Sequence, residues 1–471
     1  MPFDADERKI KMDLFDTIAA VSTPRGKGGV AVIRVSGPDA AAVGDAVFSK
    51  KLSLAEPNRM LHGAIFLPVP GEERRQIDDG MAVFFRAPRS FTGEDTVEIS
   101  CHGGTLVTQT VLAACIAAGA RQAEAGEFTR RAFLNGKLSL DRAEALGALL
   151  EAGTLPQLAL ARSGMDGRLS AGVDEIYGSL LAVSSELRAD IDFPDEDVSD
   201  MSADELYLRL SEAKERAGRL ASTYSVGRAV AEGVATVICG RTNSGKSSLF
   251  NRLSGHESAI VTDIEGTTRD ILTEKVSFGG VTLNLFDTAG LRDTEDPVER
   301  IGIGRAERAI EDAELIFAVF DGSSMPSEED IALADRLSKA HAKVIAVINK
   351  SDLPRAEGLD AICSRLPLSV SVSAKTGLGI GELGRTVSEL FNSDGIDIMK
   401  DSVVATARQY GALAFACECL AEALAGIDAG LPVDLVCSSV ERAMESLAAV
   451  SGRLVGEDII SSVFSKFCVG K

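Results

Sequence analysis

The chain is short of the residue types that mark several whole classes of function. It has four histidines in 471 residues, and its eight cysteines follow no regular spacing. Structural zinc needs Cys and His at set intervals, so a zinc framework is excluded as the organising feature. Cys417 and Cys419 form a C-x-C pair inside an Ala/Leu-rich stretch with no histidine nearby, which suits small core or surface residues. Unpatterned cysteine also fits a reducing cytoplasm. Basic residues are outnumbered, 49 Lys and Arg against 70 Asp and Glu, for a net charge of −21. That balance disfavours broad nonspecific nucleic-acid binding while leaving room for a local basic patch. No stretch reaches the roughly 18 apolar residues of a membrane span. The first residues lack a basic region followed by an apolar core, so neither a membrane segment nor a secretory signal is expected.

What is present points to a nucleotide. Gly240, Gly245, Lys246 and Ser247 fit the G-x-x-x-x-G-K-[ST] phosphate loop, with Asn243, Ser244 and Ser248 completing its surroundings. An apolar run at 234–239 precedes it and a helix-compatible run at 248–253 follows, the strand–loop–helix setting the motif requires. Glycines let successive N–H groups point inward at phosphate oxygens, and the helix N-terminus adds positive potential. Lys246 would reach the β- and γ-phosphates, and the Ser247 hydroxyl would ligate Mg²⁺.

Four further elements follow in order. Gly266, Thr267, Thr268, Arg269 and Asp270 lie between two apolar segments, with Thr268 available for Mg²⁺ and the γ-phosphate. Asp287, Thr288, Ala289 and Gly290 follow the strand-like 281–286. Asn349, Lys350 and Asp352 come directly after the apolar 344–348, and Ser373, Ala374 and Lys375 after 368–372. Asp352 sets the base. A carboxylate accepts two hydrogen bonds, and guanine presents adjacent N1–H and N2–H₂ donors that match it. Adenine would leave a buried acceptor unpaired, at about 1–3 kcal/mol. The five elements resemble the translation-factor-like GTPase domain.

Three regions separate along the chain. Residues 1–135 mix β-like runs at 16–21, 29–35, 80–85 and 95–99 with a helix-like 107–118, which predicts an α+β domain with an antiparallel sheet. Residues 136–230 and 395–471 read as long, Ala/Leu-rich helices, broken near 191–197. Residues 231–394 alternate strand and helix signals, as a doubly wound parallel sheet requires. The expected arrangement is multidomain: an α+β N-terminal domain, an all-α helical domain in two segments, and an inserted α/β P-loop GTPase domain.

The flanks are distinctive. The stretches 90–95, 101–104, 125–130 and 132–138, with Gly28, Gly29 and Arg34 before them and Cys468 to Lys471 at the end, closely resemble the MnmE (TrmE) family of tRNA-modification GTPases. The resemblance covers nearly the whole chain. It implies a role in building the 5-carboxymethylaminomethyl group on the wobble uridine of certain tRNAs. It also implies a GidA (MnmG)-type flavoprotein partner that carries the FAD, a reduced folate as one-carbon donor, and a homodimer through the N-terminal domain. Folate-binding roles fall on Arg34, Glu98, Lys137 and Lys471, a carboxylate suiting the donor edge of a pterin and bases suiting the anionic tail. His102 reads as a turn or packing residue, and Cys468 as structural or folate-proximal in preference to a covalent nucleophile.

The hydrolytic parts depart from the Ras-like plan. Leu291 stands where a water-orienting glutamine would. The resemblance assigns that work to Glu299, acting through water. No arginine finger is evident. Asn243, with the loop of Thr262, Asp263, Ile264, Glu265, Gly266 and Thr267, would instead hold K⁺, the implied ligands being Asn243, Thr262, Ile264 and Thr267. Thr242 replaces the proline common in the family's loop. Two rival readings stay open: a ribosome-assembly GTPase of the Era or EngA kind, and a folate-dependent transferase merely regulated by GTP.

Overall fold

The computed structural model describes residues 16–24, 26–69, 73–192, 201–255, 273–286, 310–392 and 395–470. These group into two compact units, 1–147 with 451–471, and 148–450.

The first unit is built on a six-stranded sheet. Its strands are β1 (Ile18–Val21), β2 (Gly28–Ser36), β3 (Leu61–Leu67), β4 (Arg75–Phe85), β5 (Thr96–Gly103) and β6 (Arg121–Gln122), in the order β3-β4-β5-β2-β1-β6. All neighbours are antiparallel except β1 and β6. Side chains alternate across a pleated strand, so residues two apart share a face. Ala31, Ile33 and Val35 of β2 and Val97, Ile99 and Cys101 of β5 are buried, in one core with Val43 and Val47 of α1 (Ala40–Val47) and Val111, Ala114 and Cys115 of α2 (Thr105–Ala117). The alternate positions, Arg34 and Glu98 among them, fall on the other face. They stand directly opposite each other in the β2–β5 register.

The short helix α3 (Glu127–Leu134) and the longer α4 (Leu140–Glu151) as far as Gly147 complete this unit together with the chain's end. Leu140 and Ala143 pack with Ile460 and Phe464 of the terminal helix (Glu457–Phe464), and Phe133 and Phe467 close the cluster. Residues 136–147 and 451–471, helical by periodicity, therefore group with the N-terminal sheet. Val469 forms a β-bridge with Ala125. At Gly470, where φ is +97°, a Cβ would come within 2.1 Å of the Val21 carbonyl oxygen. Only glycine lets the tail pass so close.

In the second unit, helices at Arg168–Asp192, Ala203–Ser222, Ala407–Asp428 and Val433–Ser451 share one apolar core. Ala407–Asp428 is long and apolar enough by composition to cross a membrane, against the expectation of no such stretch. Its Leu413, Ala416, Cys419, Leu420 and Ala423 lie in that helical core, which accounts for its apolar character. Cys419 is buried there, and among the described residues no cluster of His, Cys, Asp and Glu could hold a metal.

The unit's sheet has β7 (Val234–Cys239), β8 (Thr273–Phe278), β9 (Val281–Phe286), β10 (Leu315–Asp321), β11 (Lys343–Asn349) and β12 (Ser369–Ser371), in the order β12-β11-β10-β7-β9-β8. It is parallel except for the hairpin β8–β9. Parallel strands covered on both faces read as continuous apolar runs, and β10 is buried over six consecutive residues, 315–320. The order reverses at β7, which lies between β9 and β10. Ligands of open α/β sheets bind at that switch point, outside the carboxyl ends of the strands.

Candidate functional site

The phosphate loop leaves β7 at this switch point. Gly240 has φ +146°, Asn243 φ 60° and Gly245 φ +97°, and the chain then enters the helix Lys246–Ser254. Gly245 is its N-cap, with no side chain bonded to the first turn. Glycine at this position puts the helix start at the end of the loop, the setting in which phosphate-binding helix starts meet anions. A Cβ on Gly245 would lie 2.0 Å from Asn349 Nδ2, and one on Gly240 would lie 2.2 Å from the Val319 carbonyl oxygen. Neither glycine tolerates a side chain. Lys246 Nζ donates to the Arg241 carbonyl at 2.8 Å, which draws the ammonium across the loop.

The base-reading loops are tied to the phosphate loop by one buried amide. Asn349 Nδ2 donates to the Ser244 carbonyl at 2.9 Å, and its Oδ1 accepts from the Ala374 N–H at 3.0 Å. It is 2% exposed. A buried group bonded at both ends fixes three loops at once, and losing either bond would leave a desolvated amide. Ser373 Oγ donates to Asp352 Oδ1 at 2.7 Å. That hydrogen bond, aided by Lys375 and Lys350, holds the Asp352 carboxyl below the usual carboxylate range. Asp352 is therefore an ionised acceptor at neutral pH, the state guanine's two donors require.

Sequence reasoning missed Arg252. From the phosphate-loop helix, its Nε donates to the Ala374 carbonyl at 3.0 Å and its Nη2 to the Lys375 carbonyl at 2.6 Å. A cavity of about 380 Å³ opens between Ser248, Asn251 and Arg252 on the helix and Ala374 and Lys375 on the loop. That falls within the ~300–1,000 Å³ typical of small-molecule sites. The structure thus brings together Asn243, Ser244, Gly245, Lys246, Ser247 and Ser248 with Asn349, Lys350, Asp352, Ser373, Ala374 and Lys375. Thr262, Asp263, Ile264, Glu265, Gly266, Thr267, Thr268, Asp287, Thr288, Ala289, Gly290 and Glu299 lie outside the described residues, although β9 ends at Phe286, immediately before Asp287.

On the polar face of the first unit's sheet, Arg34 Nε donates to Glu98 Oε1 at 2.8 Å, and its Nη2 lies 2.8 Å from the same oxygen. The guanidinium also stands 5.2 Å from the Phe91 ring centroid and 5.7 Å from that of Phe128, both within cation–π range. Lys137 Nζ donates to the Pro88 carbonyl at 2.9 Å. Lys471 lies outside the described residues. His102 is exposed, and Asp78 Oδ1, 2.8 Å from its Nδ1, raises the imidazole pKa. Cys468 is exposed, with its carbonyl accepting from the Gly126 N–H at 3.4 Å.

The family described as the GTP-binding protein TrmE N-terminus matches residues 17–137, and that of the MnmE helical domain matches 140–468. The tRNA modification GTPase MnmE of Geobacillus kaustophilus is 40% identical over 468 residues, spanning 98% of this chain and 100% of that protein. That of Acetivibrio thermocellus is 37% identical over 460 residues, spanning 97% and 99%. Among solved structures, the G domain of the T. maritima FeoB iron transporter is 27% identical, covering 33% of this chain and 96% of that chain at a TM-score of 0.26. A glycine-rich loop at the switch point, with Asn349 and an ionised Asp352 beside it, thus sits in a chain whose two flanks and full length match one set of proteins, and the chain belongs to the MnmE family of tRNA modification GTPases.

Proposed function

We propose that this GTPase, with a GidA/MnmG-type flavoprotein carrying FAD, forms 5-carboxymethylaminomethyluridine at the wobble position of certain tRNAs. A reduced folate would supply the carbon. The observation that carries this reading is the partly exposed Arg34–Glu98 pair on the second face of the N-terminal sheet. Both Arg34 contacts fall on Oε1 and hold the carboxylate in place, and its two oxygens would take a pterin's adjacent donors. Lys137 and Lys471 would face the anionic tail. The domain scheme that goes with this reading is 1–135 for folate and homodimerisation, 136–230 and 395–471 for the helical segments, whose outer ends at 136–147 and 451–471 pack with the first unit, and 231–394 for GTP, all in the cytoplasm.

In the hydrolytic site, Ser247 and Thr268 would hold Mg²⁺, and Asn243, Thr262, Ile264 and Thr267 would hold K⁺. A monovalent cation there would supply positive charge where an arginine finger otherwise does. Glu299 would orient the attacking water. G-domain pairing and release would then be relayed through the helices to the modification site. Mass spectrometry of wobble uridines from cells lacking this gene should show the carboxymethylaminomethyl group missing. Fully modified tRNA would sink the proposal. GTPase rates measured in K⁺ should exceed those in Na⁺ at least about tenfold if the cation stands in for an arginine finger; equal rates would remove Asn243 from the cation's site.

A further inference from the structure

A second carboxylate stands beside the guanine-reading loop, at the end of the neighbouring strand. Asp321 ends β10 and pairs in register with Asn349 at the end of β11. Lys350 follows with φ 65°, a left-handed turn that a lysine seldom adopts. Its ammonium lies 2.5 Å from Asp321 Oδ2. Asp321 is itself held, because Oδ1 accepts from the Ser323 N–H at 2.9 Å and from the Ser323 hydroxyl at 2.6 Å. Burial works to raise the pKa of Asp321, but the bonds from Lys350 and Ser323 outweigh it and leave the carboxylate charged at neutral pH. The two side chains are 33% and 23% exposed, so water screens the pair only in part.

A lysine stem has four carbons and loses much rotamer freedom when it is fixed. In a site where the ammonium is already anchored, that loss is borne before any ligand arrives. The stem is then a fixed apolar strip beside Asp352, and a purine ring is a flat surface that such a strip can cover. We propose that Asp321 is a positioning residue for the nucleotide: it anchors Lys350 so that the lysine stem forms one wall of the purine site. The proposal rests on the guanine-nucleotide reading of this loop. A wall for the base touches GTP and GDP alike, so its loss weakens binding uniformly and leaves the chemical step alone.

Asp321→Asn keeps the shape and removes the charge. The Kd for GDP and the KM for GTP should rise together by about tenfold, with kcat unchanged within about twofold. In a double-mutant cycle, Asp321→Asn should cost little more in the Lys350→Ala background, because the carboxylate acts through the lysine. An ion pair that merely ties two strand ends would lower the melting midpoint and leave the GDP Kd in place. An unchanged Kd in folded Asp321→Asn, or effects that simply multiply, would overturn the proposal. Should Asp321→Asn fail to fold, Ser323→Ala removes one bond from the anchor and should raise the GDP Kd by about twofold; no change there would also overturn it. Wild-type protein that fails to bind GDP in the same titration would sink the nucleotide reading itself, a separate result.

Discussion

Asp352→Asn is expected to weaken GTP binding by at least about 100-fold and to make xanthosine triphosphate the better ligand. Guanine offers two adjacent donors, and the wild-type carboxylate offers two acceptors. An asparagine in the same place turns one acceptor into a donor, which then faces a donor of the base. The site loses one hydrogen bond and gains an unpaired desolvated pair of N–H groups, so the change exceeds the deletion of a single contact. Xanthine carries a carbonyl where guanine carries its amine and meets the new donor correctly. Ser373 Oγ, which donates to Asp352 Oδ1, can donate equally to the asparagine oxygen and hold it in place. Turnover measured with both nucleotides checks this. GTP turnover at the wild-type KM would refute the role of Asp352, and weak binding of both nucleotides would indicate a collapsed loop.

The geometry of the candidate nucleotide loops was legible because its parts are local. The glycines at 240 and 245, the lysine and the serine all answer to backbone geometry within eight residues, and the loop adopts it. Asn349, Asp352 and Ser373 were named from short motifs, and the structure joins them through hydrogen bonds to Ser244 and Ala374. Arg252 and Asp321 carried no motif, since each works through a partner brought close only by the fold. The Arg34–Glu98 pair lies further from local reading. It joins residues 64 apart, through a register that neither strand specifies alone. Only the family resemblance singled them out. Strand β3 escaped notice because glycine and histidine interrupt its apolar pattern. The arginines at 130 and 131 look equivalent in sequence. Helix phase separates them, because Glu127 and Arg131 are four apart on the buried side, whereas Arg130 reaches outward to Glu457.

Arg131→Met should destabilise the first unit by about 3–5 kcal/mol, the cost of stranding buried charge. Its side chain is 2% exposed and faces Asp16, Glu94 and Glu127 at 2.5, 3.3 and 3.0 Å. Arg121 also bridges Asp16 and Glu127, so two guanidinium groups normally balance three carboxylates. With methionine at 131, one remains for three. The effect should reach the folate-type face. Glu94 closes a hydrogen-bonded corner with Ser36 and Thr92, and that loop carries Phe91 over Arg34. The pH dependence separates charge from packing. Burial works to raise the pKa of Asp16 and Glu127, but the arginine contacts outweigh it and lower both from their usual 3.8 and 4.5. Groups with a depressed folded pKa stabilise fully above the unfolded value and cease to do so as pH falls through the folded one. The wild type should therefore lose stability faster than the variant below about pH 4.5, and the gap between their melting midpoints should narrow. A gap that stays constant down to pH 3 would mean that methionine fails by shape, with the charges contributing nothing.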